Sequence, residues 1–436
     1  MKKDLVAVIL AGGVGNRFWP FSTNKILFPF FGQPFVEYSV RSVLPKEVTR
    51  VVLVTNSQNN EAASRISFSV PTVTVVQHNP HGMADAMLSA SSEISDCALL
   101  ILNGDDITDP DMLSRVVEKG IKNDVFGVIP GIKTKSYFPG GYLTVVDDTV
   151  TGIIEKPGEG NEPSDYVGML GHYISDSSVL LAELKQTASD KDDVYERSIS
   201  TLMKRYAFKL YSHEGQFASL KYPWHVLDVT DVLLGRLKSH RGKNVEIKAN
   251  VVIEGDVYID DDVRIFENTK IIGPCYIGKR TIIGNNNMIR QSHIGADCVT
   301  GFNTDITRSY VGDGCWFHSN YIGDSVLEGN ISMGGGAALA NLRLDDGVIH
   351  SSVKEEKVST GKNKIGALIG KHVRIGVNTS IMPGVKIGTN TFVGSGVVLD
   401  KDLPEESYCV VKSSYTVIRN NRSVKLQNRD EFKKHI

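Results

Sequence analysis

Apolar residues follow two different patterns along this chain, and the change falls near residue 240. Before it, short continuous apolar runs alternate with stretches of helical spacing. LVAVIL (5–10), RVVLVT (50–55), TVTVVQ (72–77), ALLILNGD (98–105) and VFGVIPG (125–131) read as strands buried on both faces. FVEYSVRSVL (35–44), MADAMLSASSEI (83–94) and PDMLSRVVEKGI (110–121) read as helices. The alternation predicts an α/β fold, a doubly wound and mostly parallel sheet with helices on both faces. Ligands bind such sheets at the carboxyl ends of strands, where AGGVG and LNGDD both fall.

After SHRGKN the period becomes six. Ile247, Ile253, Ile259, Ile265, Ile271, Ile277, Ile283 and Ile289 recur without a slip, and Ile369, Ile375, Ile381, Ile387 and Val393 repeat the pattern. Small or β-branched residues (Val251, Val257, Val263, Thr269, Cys275) stand two places before several of them. No helix repeats every six residues. A chain coiling around a triangular prism does, with one aliphatic side chain stacked inward per short strand. Between the runs, residues 333–364 break the register, which predicts a loop that leaves the prism. The expected organisation is an α/β domain over 1–240, an all-β parallel β-helix of hexapeptide repeats over 245–408 and a polar tail over 409–436.

Composition narrows the partners. The chain has 436 residues, 41% of them hydrophobic, and a formal net charge of -2. That suits two domains with real cores and gives no general pull toward nucleic acid or anionic membrane. Cys97, Cys275, Cys298, Cys315 and Cys409 show no paired spacing, which predicts small buried residues in a reducing compartment. No apolar stretch is long enough to span a bilayer, and the run after Met1 is too short for a signal peptide. A cytoplasmic protein is expected.

Candidate chemistry begins at AVILAGGVGNRFWPFSTNK (7–25). Gly12, Gly13 and Gly15 let the chain turn sharply and bring bare backbone N–H groups near a ligand, and Arg17 and Lys25 add cations. Such donors suit phosphate oxygens. Neither common phosphate loop fits, since Phe18 stands where the dinucleotide fingerprint needs glycine and no Gly-Lys-Ser/Thr is present. An ordinary strand-to-helix turn would also need glycines.

This loop joined to a hexapeptide β-helix resembles the sugar-1-phosphate nucleotidylyltransferases that carry a C-terminal left-handed β-helix. The likeness is greatest to archaeal-type bifunctional N-acetylglucosamine-1-phosphate uridylyltransferase/glucosamine-1-phosphate acetyltransferases, and it covers nearly the whole chain. The resemblance implies transfer of a nucleotidyl group from a nucleoside triphosphate, UTP or dTTP, to a sugar-1-phosphate. It makes Leu10, Gly12, Gly13 and Gly15 nucleotide-binding, Arg17 and Lys25 catalytic, and Gln77 and Gly82 (in QHNPHGMADA) the base contacts. Asp105 becomes the Mg2+ ligand, and Gly141, Glu155 and Lys156 hold the sugar phosphate. Attacker and target are both anions, so alignment and charge neutralisation are the chemistry required.

In the second half, FHSNYIGDS followed by GGGAALANLR resembles the acetyltransferase motif. His318 is then the general base that deprotonates an amino sugar attacking acetyl-CoA, with Tyr321 and Asn341 orienting and Arg290 on the sugar phosphate. The resemblance also implies a homotrimer with the acetyl-CoA site between subunits. Three positions depart from the family pattern. Ser219 replaces a second metal-binding Asp, with Asp228 downstream; Met169 replaces a sugar-contacting Asn; Thr307 replaces a phosphate-pocket Lys, with Arg308 adjacent. RFWP is also similar to mannose-1-phosphate guanylyltransferases. A single-activity enzyme of that kind, or a non-catalytic nucleotide-sugar-binding regulatory subunit, with a β-helix used for oligomerisation, therefore stays open.

Overall fold

The computed structural model describes residues 3–41, 43–78, 80–134, 137, 140–354, 356–412, 414–423 and 433–434. Residues 413, 424–432, 435 and 436 of the expected polar tail lie outside them.

A ten-stranded sheet organises the first half. Thr72–Gln77, Val48–Asn56, Leu5–Leu10 and Ala98–Asn103 lie side by side in that order, all parallel. The apolar runs are continuous because both faces are covered. Leu5, Ala7 and Ile9 pack with Val36, Val40, Met112 and Val116 on one side, and Val6 and Val8 pack with Met87, Leu180 and Ile199 on the other. Strand order reverses between Leu5–Leu10 and Ala98–Asn103, and the crevice at their carboxyl ends is the usual ligand position.

The expected mostly parallel sheet holds only on this side. Beyond Ala98–Asn103 the strands His172–Ile174, Gly127–Lys133, Phe208–His213, Thr149–Glu155, Gly141–Val146 and Tyr166–Gly168 pair largely antiparallel. At one pair a short connection forces this. Gly141–Val146 and Thr149–Glu155 are joined by two residues, too few for a parallel crossover, and Asp147 takes a left-handed φ of 54° in that turn.

The second half is a three-sided parallel β-helix of very short strands. Ile259, Ile265, Ile271, Ile277, Ile283 and Ile289 stack inward in its core. Asn250, Asp262, Asn268 and Asn286 turn its corners with φ of 58°, 60°, 60° and 57°, a conformation Asn and Asp tolerate best after glycine. Ile253 faces solvent at 38% exposure, in the first coil, where stacking is one-sided. The prism does not stop at Ile289. Ile289 pairs with Ile306, Ile306 with Ile322 and Ile322 with Leu339, so successive coils hold 17, 16 and 17 residues, where Ile271 to Ile289 holds 18. Shortened corners erase the six-residue period while keeping the inward stack. Met333 and Leu339 are likewise in register and buried, so the insertion is narrower than expected: it leaves after Ala340 and is closed by a bridge between Leu342 and Lys364.

The two halves share a core. Phe18, Phe21, Phe28, Phe30, Phe35 and Trp224 from the first pack with Tyr310, Val326, Ile349, Ile365 and Leu368 from the second. One ring per coil (His240, Tyr258, Tyr276, His293, Tyr310) stacks down the facing side, with centroids 4.4–5.5 Å apart. Phe31 closes on this ladder, its N–H donating to His293 Nε2 at 3.2 Å. Glu328, fully buried, accepts from Ser22 N, Ser22 Oγ and Thr23 N at 3.1, 3.0 and 2.8 Å and from Lys371 N at 3.1 Å. The β-helix therefore grips the segment that leads from Arg17 to Lys25.

Candidate active sites

A cavity of about 1070 Å³ opens at the sheet crevice. Leu10, Gly12, Gly13, Gly15, Arg17, Lys25, Gln77, Gly82 and Asp105 all line it, so the structure brings nine sequence-derived candidates to one place. Two buried asparagines that the sequence did not flag shape the loop. Asn59 Nδ2 donates to Ala11 O at 2.9 Å and Asn56 Nδ2 to Gly12 O at 3.0 Å, while each accepts the other's backbone N–H at 2.9 Å. With those carbonyls held, backbone N–H groups are left to serve the cavity. The only sequence signal was TNSQNN after a strand.

Gln77 is 2% exposed. Its Nε2 donates to Asp85 Oδ2 at 2.6 Å and Gly82 O at 3.2 Å, which fixes the amide orientation. Oε1 then lies so close to Gly12 that a Cβ there would sit 2.4 Å from it. Gly82, at φ +78°, packs closer still to Asp192, a further lining residue not singled out in the sequence.

Lys25 Nζ bonds Asp105 Oδ2, with the two side chains only 20% and 10% exposed. Arg17 Cζ stands 5.7 Å from the Tyr222 ring centroid, and Lys221 and Tyr222 complete the cationic end. Behind Asp105, Asn103 Nδ2 donates to Asp106 Oδ2 at 2.9 Å, while Asp106 Oδ1 and Ser219 Oγ are buried without a well-formed hydrogen bond. Ser219 lies directly opposite Asp106 in a two-stranded pair. Burial, reinforced by the charge of Asp105, pushes the Asp106 carboxyl up. Asp228 does not approach Asp105's cavity; it pairs with Lys362 at 2.6 Å on another face. The hard oxygen donors fit a magnesium ion, which needs only one or two carboxylates beside water and phosphate oxygens. Among the described residues no cluster of three or more His, Cys, Asp or Glu forms a complete metal cage.

The sugar-side candidates sit beside the cavity lining. Gly141 pairs with Glu155 across a hairpin, and Lys156 Nζ pairs with Glu155 Oε1 at 2.8 Å. That hydrogen bond raises the Lys156 pKa, and the charges of Arg17 and Asp192 also reach it, so this corner adjoins the cationic end. The Met169 side chain is buried in the core, and the Met169 N–H donates to Pro130 O at 2.9 Å. Glu196 is half-buried nearby. Burial, with Glu155, Asp192 and Asp193 adding negative charge, pushes its carboxyl up to about 7. A carboxyl raised in the fold holds its proton longer than in the unfolded chain, so its contribution to stability falls as pH rises from about 4.5 to about 7. Glu196→Gln should therefore gain thermal midpoint over the parent as pH rises through that window. A constant difference from pH 4.5 to 7.5 would contradict this. His172 is a core histidine: its Nδ1 lies 2.8 Å from Tyr195 Oη, and burial pushes its pKa down to about 4.

The second constellation lies on one face of the β-helix. Arg290, Thr307 and Gly323 stand in one column of paired strands, and Asp305 and Tyr321 in the next. A Cβ at Gly323 would sit 2.7 Å from both Tyr321 Oη and Asn341 Nδ2, so these two polar groups converge over its bare backbone. Asn341 also bonds Asp324, which Arg308 holds bidentately at 2.7 and 2.7 Å, with Arg308 Nη1 3.2 Å from Thr307 Oγ1. Arg308 thus brings its charge beside Thr307. Arg290 Nη2 donates to both carboxylate oxygens of Asp305 at 2.9 and 2.9 Å. His318 is exposed; Asn320 Oδ1 accepts its N–H at 2.8 Å, and its Cβ lies 4.0 Å from where a Gly335 Cβ would be. Trp316, Phe302 and Val377 are 53%, 60% and 49% exposed on the same domain.

Comparison with known proteins agrees in both halves. Residues 6–222 match the nucleotidyl transferase family and residues 366–401 the bacterial transferase hexapeptide (six repeats) family. A bifunctional sugar-1-phosphate nucleotidylyltransferase/acetyltransferase of Sulfurisphaera tokodaii is 30% identical over 413 residues, covering 91% of this chain and 98% of that protein. The bifunctional protein GlmU of Methanococcus vannielii is 28% identical over 435 residues, covering 95% and 100%. Among solved structures, a UDP-glucose pyrophosphorylase from Acinetobacter baumanii is 20% identical with a TM-score of 0.46, over 54% of this chain and 95% of that one.

Proposed function

We propose a function that proceeds from one fact: this chain belongs to the family of bifunctional sugar-1-phosphate nucleotidylyltransferase/acetyltransferases. It is an enzyme that transfers a nucleotidyl group from a nucleoside triphosphate to a sugar-1-phosphate and releases pyrophosphate. Its second half transfers acetyl from acetyl-CoA to an amino-sugar phosphate. We assign the first reaction to residues 1–240 and the second to residues 245–408.

The carrying observation is the convergence of the glycine loop, Arg17, Lys25 and Asp105 on one cavity at the strand-order reversal. The glycine-loop N–H groups, Arg17 and Lys25 hold and neutralise the phosphate chain. Gln77 Oε1, its amide nitrogen already committed to Asp85 and Gly82, presents an acceptor suited to the imino N–H of uracil or thymine. Lys156 and Glu155 hold the sugar phosphate so that its oxygen attacks the α-phosphorus in line as the bond to the β-phosphate breaks. Asp105 would hold a magnesium ion, which when bound neutralises phosphate charge.

In the second site His318 takes the proton of the attacking amine as the thioester breaks and the thiol of coenzyme A leaves. Tyr321 and Asn341 orient the sugar, and Arg290, with Arg308 close to Thr307, supplies charge for its phosphate. The exposed Trp316, Phe302 and Val377 support a homotrimer whose subunits cover them. The free cysteines suit a cytoplasmic location.

Full-length protein assayed for magnesium-dependent pyrophosphate release over UTP, dTTP and GTP against glucose-, glucosamine-, N-acetylglucosamine- and mannose-1-phosphate tests the reading. Turnover with UTP or dTTP is expected and chelation should abolish it. GTP with mannose-1-phosphate as the sole productive pair would overturn the base assignment, and silence in every combination would overturn the first activity.

A further inference from the structure

The insertion at residues 341–364 does not stay with the β-helix. Its strands His350–Val353 and Glu356–Ser359 form a hairpin, and Val353, Lys354, Glu356 and Val358 line the nucleotidyl cavity in the other half of the molecule. We propose that Lys354, at the hairpin tip, contacts the β- and γ-phosphates of the bound triphosphate and the pyrophosphate that leaves. The β-helix would then supply a substrate-contacting residue to the first reaction. This rests on the reading of that cavity as the triphosphate site.

Three observations point to the phosphate end. Val353 and Val358 pack on the aromatic cluster that also includes Tyr222, and Arg17 stands against the Tyr222 ring. The base end is elsewhere, where Gln77 is bonded to Asp85 and Gly82. The hairpin is also firmly seated. Ile349 is buried in the shared core, Thr360 Oγ1 donates to Ile349 O at 2.7 Å, Lys386 Nζ bonds Ser352 O, and Lys362 pairs with Asp228 at 2.6 Å. Lys354 itself has a φ of 55° in the tight turn, a left-handed position where glycine fits without strain. A lysine kept where glycine would fold better directs attention to its side chain. An ammonium on a flexible four-carbon stem reaches into a phosphate site as a point charge. Glu356, on the same rim, carries the opposite charge and would oppose anion binding.

The turn geometry supplies the test, because Lys354→Gly removes the charge and relieves the backbone together. Calorimetric titration of the full chain with magnesium pyrophosphate and magnesium UTP, at low salt, should show binding weakened about tenfold, the loss of one charge-assisted phosphate contact. The thermal midpoint should hold or rise, UMP, which lacks the outer phosphates, should bind as before, Lys354→Arg should restore affinity, and Glu356→Gln should not weaken it. If Lys354→Gly binds pyrophosphate and UTP like the parent while Arg17→Ala does not, the proposal fails and the cavity assignment stands. If the parent binds neither probe, the cavity assignment itself falls.

Discussion

Asp105→Asn should lower pyrophosphate release by about a thousandfold or more, the loss of about 4 kcal/mol of transition-state stabilisation. The substitution keeps shape and removes charge. Asp105 is 7% exposed at the end of Ala98–Asn103, its carbonyl accepts Leu220 N at 2.8 Å, and its carboxylate engages Lys25. An amide can keep the backbone contact but neither balances the Lys25 ammonium nor serves as a hard anionic ligand. Acetyl transfer should be unchanged, because none of the second-site groups touches Asp105. Pyrophosphate release and free-thiol release measured on one preparation, with a thermal melt as folding control, check this. Equal loss of both activities would contradict two independent sites.

How much of this was legible in sequence depends on whether the signal was local. The continuous apolar run of Leu5–Leu10 demanded burial on both faces, and both core clusters claim it. The six-residue isoleucine period announced the prism wherever coils kept 18 residues and faded where they held 17 or 16. The glycine loop and Asp105 were readable because each lies within a few residues of a strand end, and Arg17 and Lys25 because they follow the glycines in the same motif. The antiparallel edge was less readable, since Gly141–Val146, Thr149–Glu155 and Phe208–His213 mix buried and exposed positions and Tyr166–Gly168 and His172–Ile174 have three residues each.

Contacts between distant segments left no trace in spacing. RFWP is similar to mannose-1-phosphate guanylyltransferases in sequence, and the fold buries Phe18, with Phe21, Phe28 and Phe30, against the β-helix. Glu328 could not be recognised as a clamp on residues 22 and 23 from a segment 305 positions away. The insertion broke a period, and only the fold shows that its hairpin returns to the first cavity. The departures from the family pattern also change meaning in three dimensions. Ser219 sits across from Asp106, and Arg308 reaches over Thr307 to Asp324.

His318→Ala should cut free-thiol release from acetyl-CoA with glucosamine-1-phosphate by about 10²–10⁴-fold, the range for loss of a positioned general base. The fold should not suffer, because the side chain is exposed while the backbone of residue 318 keeps its bonds to Asn320 and Thr304. Nucleotidyl transfer should match the parent, since the strongest links between the halves run through Glu328, Tyr310 and the shared aromatic core. Asn341→Ala is the stricter comparison. It would remove an amide that converges with Tyr321 Oη, while Arg308 would still hold Asp324, so it should weaken sugar binding as well as turnover. A histidine acting as base should instead lower kcat with little change in KM for the sugar. If His318→Ala raised KM alone, the residue would be a binding group, and the proton would have to leave the amine by another route.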